Sequence, residues 1–273
     1  MITRFNSLAP RRRILVAGAA LLIVAGAALA AVAAVDAGTG SSTAAGPSAL
    51  AHAPPQDRPG PVLLVPGYGG GTRALSVLAS RIRAAGRQAT VVPLPGNGTG
   101  SLVQDASVLN TAVARALRSG APSVDVVGYS AGGVTTLIWA RTDGGIRKAR
   151  RVITLGSPFH GASIAAAAEG FVPGACPAAC QQLIPGSRLL AGLTAGPPAG
   201  LRWLSLWTTD DQTVTPPDSA RLAGAVNVPI QSVCPGQQIS HSDLPTNPVV
   251  TRIVLQAIGA GPIKRPASGD CPG

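Results

Sequence analysis

Short, mostly apolar runs punctuate this chain: VLLV at 62–65, ATVV at 89–92, VDVVG at 124–128, RVITLG at 151–156 and WLSLWT at 203–208. Runs of this length bounded by turn formers are what strands buried on both faces look like, and such strands belong to parallel sheets. Helical spacing fills the gaps. Leu75, Leu78 and Ile82 recur on one face, with Gly86 as a stop. Ser101 and Gln104 form an S-x-x-Q capping pattern before a face of Leu102, Ala106, Leu109, Val113 and Leu117. A helix is expected at about 131–141, and a final one carries Val249, Val250, Ile253, Val254 and Ala257. VNVPIQSV at 226–233 reads as the last strand, and Pro229 places it at an edge. Alternating strands and helices predict an α/β fold with a mostly parallel central sheet and helices on both faces. No internal repeat is visible.

The N-terminus predicts an address outside the cytoplasm. Residues 14–35 form 22 uncharged positions behind Arg11, Arg12 and Arg13. A basic segment before an apolar run marks an export signal. The length also suits a membrane anchor with arginine on the cytoplasmic side. Residues 1–36 are therefore expected to be a cleaved signal or an uncleaved anchor. Residues 37–60, rich in Gly, Ser, Ala and Pro, are expected to be a flexible linker. The catalytic domain is expected over 61–260 and a tail over 261–273. Residues 160–200 contain no strand, so 161–200 is read as a cap over the site. Ile164, Phe171, Val172, Leu183, Ile184 and Leu190 could line an acyl channel there or pack on the sheet.

Four cysteines, Cys176, Cys180, Cys234 and Cys271, suggest disulfides in such a location. Three pairings are possible, and Cys176–Cys180 with Cys234–Cys271 is the simplest. Their spacing lacks the paired C-x2-C units of a zinc site, so no metal is expected. From residue 37 onward 18 basic residues face 10 acidic ones, a surplus of 8. These charges are scattered and form no nucleic-acid module. One dense cluster, Arg147, Lys148, Arg150 and Arg151, reads as a solvated connection, with attraction to anionic lipid as the alternative.

Gly128-Tyr129-Ser130-Ala131-Gly132 follows an apolar strand and opens a helix. That context marks a nucleophile held on a tight turn, where side chains flanking the serine would clash with strand and helix. A serine hydroxyl needs a base within hydrogen-bond reach. His52 lies in the linker, and His160 comes before any later acid. His241 fits the order nucleophile, acid, base along the chain. The acid is expected after WLSLWT, where Asp210 and Asp211 are adjacent. The D-x-x-V spacing to Val214 favours Asp211, Asp218 is a third candidate, and Asp243 is read as a turn cap. The oxyanion donors are expected at the amides of Ala131 and of Tyr68, the latter in the glycine loop 66–70.

PGYGG at 66–70, GYSAGG at 128–133, TLGSPFHG at 154–161, DDQTV at 210–214 and HSDLP at 241–245 together resemble bacterial lipases of the α/β-hydrolase superfamily. The small secreted, class 2 or triacylglycerol lipase-like type is most similar. The resemblance spans about 60–258. It implies an α/β-hydrolase fold and hydrolysis of carboxylic esters on lipid-like substrates. The alternatives are an acyltransferase or polyester depolymerase with the same triad, or a non-catalytic envelope protein on this scaffold. No cofactor is expected; a monomer is expected, and association with membrane or lipid surfaces stays open. By position the resemblance implies Ser130 as nucleophile, Asp211 as acid, His241 as base, and Tyr68 and Ala131 as oxyanion donors. Pro66 stands where many lipases have His. Phe159 departs from the polar residue frequent before His160, which is expected to shape the site floor.

Overall fold

A computed structural model describes residues 53–171 and 176–271. The chain runs β1 (Val62–Val65), α1 (Arg73–Ala84), β2 (Ala89–Val91), α2 (Leu102–Arg118), β3 (Val124–Tyr129), α3 (Ala131–Thr142), α4 (Gly145–Lys148) and β4 (Ala149–Leu155). Three short helices follow, α5 (Ser163–Phe171), α6 (Ala178–Gln182) and α7 (Arg188–Ala191), then β5 (Arg202–Trp207), β6 (Val226–Pro229) and α8 (Pro248–Ala257). The six strands form one sheet in the order β2-β1-β3-β4-β5-β6, with every pairing parallel.

Strand periodicity divides the core into two layers. Leu63 and Val65 face α2 and α3, joining Leu109, Val113, Val134 and Leu137. Val62 and Leu64 face α1 and α8, joining Leu75, Leu78, Val250 and Ile253. All are buried, so both faces of the sheet are covered, as the apolar runs require. The chain leaves β1 for one edge, then returns through α2 to β3 on the other side of β1. That reversal opens a crevice beyond the carboxyl ends of β1 and β3, where open parallel sheets place their sites.

Several expectations need correction. The strand expected over 226–233 ends at Pro229, and a 3-10 turn follows over Ile230–Ser232. It is an edge strand. Ser101 caps α2 by accepting from Val103 N–H, and its hydroxyl also accepts from Gln182 Nε2 of α6. The basic cluster is not a solvated connection. Arg147 is exposed, whereas Arg150 and Arg151 are buried at the start of β4. Arg150 pairs with buried Asp125 on β3 at 2.5 and 3.0 Å. Arg87 meets the same carboxylate at 2.8 Å. Arg150 also donates to Ile258 O and Gly259 O, Arg87 to Ile258 O, and Arg151 to Ala257 O and Gly261 O. These guanidinium groups satisfy carbonyls at the C-terminus of α8 that have no helical partner, where positive charge is favoured. Burial, then Arg150 alongside, lowers the Arg151 pKa to about 10, which leaves it charged at neutral pH.

Residues 53–60, expected within the linker, meet the same cluster: Arg150 Nη1 donates to Gln56 O at 2.9 Å. Cys176–Cys180 and Cys234–Cys271 are the disulfides. Both are compatible with a location outside the reducing cytoplasm. No helix among the described residues is long and apolar enough to cross a membrane, and the 14–35 segment lies outside them. In the expected cap, Leu183 and Leu190 pack into the α2–α3 layer, while Ile164 is exposed. Val172 lies outside the described residues.

Candidate active site

Ser130 is the single residue between β3 and α3. Its φ of 53° and ψ of −129° are unusual for a residue with a side chain. The turn is held by Ser130 N–H donating to Leu155 O at 2.8 Å and Gly133 N–H donating to Ser130 O at 2.9 Å. Glycines make it sterically possible. A Cβ on Gly128 would sit 2.6 Å from Gly133 Cα, and one on Gly67 would sit 2.8 Å from Ser130 Cβ. The loop after β1 therefore touches the serine through bare backbone. Gly70 N–H closes that loop onto Gly67 O at 3.0 Å, and Tyr68 rides on it, 45% exposed. Ala131 is the first residue of α3, where amides lack helical acceptors and the helix dipole favours negative charge.

His241 stands in a 3-10 turn after β6, buried, with Nδ1 2.7 Å from Asp211 Oδ2. Asp211 is buried as well, and its other oxygen accepts from Thr213 N–H at 2.9 Å and Val214 N–H at 2.7 Å. With its carboxylate fixed on two amides, Asp211 can hold one imidazole tautomer, Nδ1 protonated and Nε2 free to accept. The choice between the two adjacent acids is thus geometric. Asp210 Oδ2 instead accepts from Gln231 Nε2 and Ile239 N–H. Asp243 caps its own turn through Ser240 N–H and Oγ, as expected.

The histidine is packed against the serine turn. Ser130 bonds to Leu155, and the next residue, Gly156, lies so close to the imidazole that a Cβ there would be 3.1 Å from His241 Nδ1 and Cε1. Tyr129, immediately before the serine, lies 5.1 Å from the imidazole centroid and donates its hydroxyl to His241 O at 3.2 Å. Burial, then Asp211 and Asp243, raise the Tyr129 pKa to about 12, so the phenol stays a donor at neutral pH. Sequence reasoning passed over Tyr129; its signal was adjacency to Ser130. His160 is exposed and tied to Ser219 through its main-chain N–H and its ring, in a shallow cleft with Asp218 and Arg221. His52 lies outside the described residues. Two clefts of about 880 and 680 Å³ hold none of Ser130, Asp211 and His241, so cleft size alone does not point to this site.

No protein-family model and no curated protein matches the sequence. Solved structures do. Lipase B of Aspergillus fumigatus superposes with a TM-score of 0.62 at 18% identity, over 84% of this chain, which spans 61% of that one. A Bacillus licheniformis lipase in its mature form superposes with a TM-score of 0.59 at 17% identity, over 73% of this chain and 92% of its own. The Paleococcus ferrophilus monoacylglycerol lipase gives 0.51 at 16% identity, over 76% and 95%. At these identities the likeness is one of architecture, and that architecture, with a strained serine turn at the crevice of a parallel sheet, is the α/β-hydrolase fold.

Proposed function

We propose that this chain is a serine hydrolase that cleaves carboxylic esters, acting on acylglycerols or other lipid esters through an acyl-enzyme. The observation that carries the reading is the 2.7 Å Asp211–His241 pair packed against the strained Ser130 turn. The lipases among the structural neighbours support the substrate class, and the two disulfides support a role outside the cytoplasm.

In this mechanism His241 Nε2 takes the Ser130 proton as Oγ bonds to the ester carbonyl carbon. The oxyanion that forms lies against the amides of Tyr68 and Ala131, each such donor contributing about 3–4 kcal/mol to the transition state. Asp211 keeps Nδ1 protonated and stabilises the imidazolium. Collapse breaks the carbon–oxygen bond to the alcohol, which leaves with the proton from Nε2. Water then adds to the acyl-enzyme, giving its proton to Nε2, and the acid departs as Ser130 Oγ is reprotonated.

The test uses the disulfide-oxidised protein on p-nitrophenyl esters of short, medium and long acyl chains, with Ser130→Ala beside the wild type. Turnover should fall by about 10⁶-fold in the variant. Equal activity in both proteins removes Ser130 from the mechanism. A preference for long chains marks a lipase, and for short chains a small-ester esterase.

A further inference from the structure

Asp210 adjoins the proposed triad acid and serves the other half of the histidine's support. Its Oδ2 accepts from Ile239 N–H at 3.2 Å and from Gln231 Nε2 at 3.1 Å. Thr208 Oγ1 donates to Ile239 O at 2.7 Å and accepts from Gln231 Nε2 at 2.8 Å. Gln231 Oε1 accepts from Thr209 N–H at 2.9 Å. Both main-chain groups of Ile239 are therefore held by the turn just after β5, Asp210 taking the N–H and Thr208 the carbonyl, and Gln231 braces both of those residues. Ile239 is itself buried, and it stands two residues before His241. The preceding residues 235–238 are exposed, so they offer no apolar packing that would fix the loop.

The turn after β5 thus grips the histidine segment twice. Asp211 holds the ring, and Asp210 with Thr208 holds the main chain that delivers it. We propose that Asp210 is a positioning residue: through Ile239 it sets where the His241 ring stands relative to Asp211 and Ser130. This rests on the Ser130–Asp211–His241 reading above. The two aspartates then differ in what they must supply. Asp211 must carry a negative charge against an imidazolium. Asp210 needs only an accepting oxygen, which an asparagine also has.

The experiment compares full-length, disulfide-oxidised wild type with Asp210→Ala, Asp210→Asn, Asp211→Asn, Gln231→Met and Ser130→Ala on p-nitrophenyl butyrate. A small misplacement of a catalytic group lowers turnover steeply, so Asp210→Ala should lose roughly tenfold to a hundredfold in kcat with KM within about twofold. Asp210→Asn should recover to within about threefold of wild type, whereas Asp211→Asn should lose about 10⁴-fold. A second readout is the far-downfield proton resonance of the His241–Asp211 hydrogen bond. It should be lost or broadened in Asp210→Ala and retained in Asp210→Asn. Wild-type kcat and an intact resonance in Asp210→Ala would overturn the proposal. So would an Asp210→Asn protein as impaired as Asp210→Ala, since charge would then be what matters. If Asp210→Ala does not fold, Gln231→Met carries the test. It should lower kcat severalfold at constant KM, and an unchanged kcat overturns the proposal. If Ser130→Ala is as active as wild type, the triad reading fails, and the resonance alone still decides whether Asp210 positions His241.

Discussion

At the amino end of the sheet, Asp125 meets two guanidinium groups, Arg87 and Arg150, and those arginines and Arg151 also hold five carbonyl contacts to the end of α8 and the residues just beyond it. At the carboxyl end, Asp211 meets one imidazole, and Tyr129, next in the chain to the strained Ser130, lies 5.1 Å from that ring. Both carboxylates are buried on or just after strands of the same sheet. The first is matched by excess positive charge and many acceptors, an arrangement that resists change. The second pairs with a single ring nitrogen, Nδ1, and the proposed mechanism uses the other. A buried charge near a sheet end is thus no sign of chemistry by itself; the sign is a polar group left with capacity to react.

Substitutions at the two ends should separate activity from stability. The largest effect is expected from Asp211→Asn: kcat on a p-nitrophenyl ester should drop by about 10⁴-fold because the imidazole loses its charged partner. Its melting temperature should stay close to wild type, because Asn keeps an oxygen for the amides of Thr213 and Val214. The reverse pattern, a large loss of stability with activity intact, would break the comparison. Asp125→Ala should do what Asp211→Asn does not. Leaving buried Arg150 and half-buried Arg87 without their carboxylate should destabilise by about 3–5 kcal/mol, read by urea unfolding. The kcat of the folded fraction should remain within about twofold of wild type, since no reacting group is touched. An equal fall in kcat would mean that the two ends are coupled.

Smaller effects sharpen the picture. Replacing Cys234 and Cys271 by serine opens a crosslink between residues 37 positions apart, joining the segment after β6 to the C-terminal tail. The expected loss is about 2–4 kcal/mol in thermal or chemical unfolding. A change confined to kcat would instead mark the disulfide as part of the His241 support. The smallest effect is a pH effect at Tyr129. Its folded pKa, about 12, exceeds the ordinary value of 10, so the unfolded chain releases this proton first as pH rises. Wild-type stability is therefore unaffected by this group below pH 10 and declines from there through pH 12, by about 1–2 kcal/mol after allowance for partial exposure. Tyr129→Phe should lack that component, and parallel alkaline unfolding curves would remove it.

Sequence reasoning reached much of this arrangement and stopped at identifiable points. The strained Ser130 turn was visible because it is local: strand, glycines and helix are contiguous in the chain. Chain order singled out His241, which the structure places against Asp211. Asp210 and Asp211 were not separable with certainty by pattern, since a one-residue difference reverses direction only once the turn after β5 has a shape. Arg150 and Arg151 were misread as solvated because charge in a connection normally faces water. Their actual partners, Asp125 and the end of α8, lie 25 and more than 100 residues away.

What the amino-acid order determined alone was periodicity and punctuation: which segments are strands, which are helices, and where the backbone must bend beyond the reach of ordinary side chains. These depend on neighbours within a few positions, so they are written locally. The tertiary structure decided pairing. It set Asp211 against His241, gave Asp210 to Ile239, laid Tyr129 along the imidazole and buried the β4 arginines under the last helix. The physical reason is that hydrogen bonds and ion pairs are directional and short in range, so their partners exist only after distant segments have been brought together by the burial of the apolar strands.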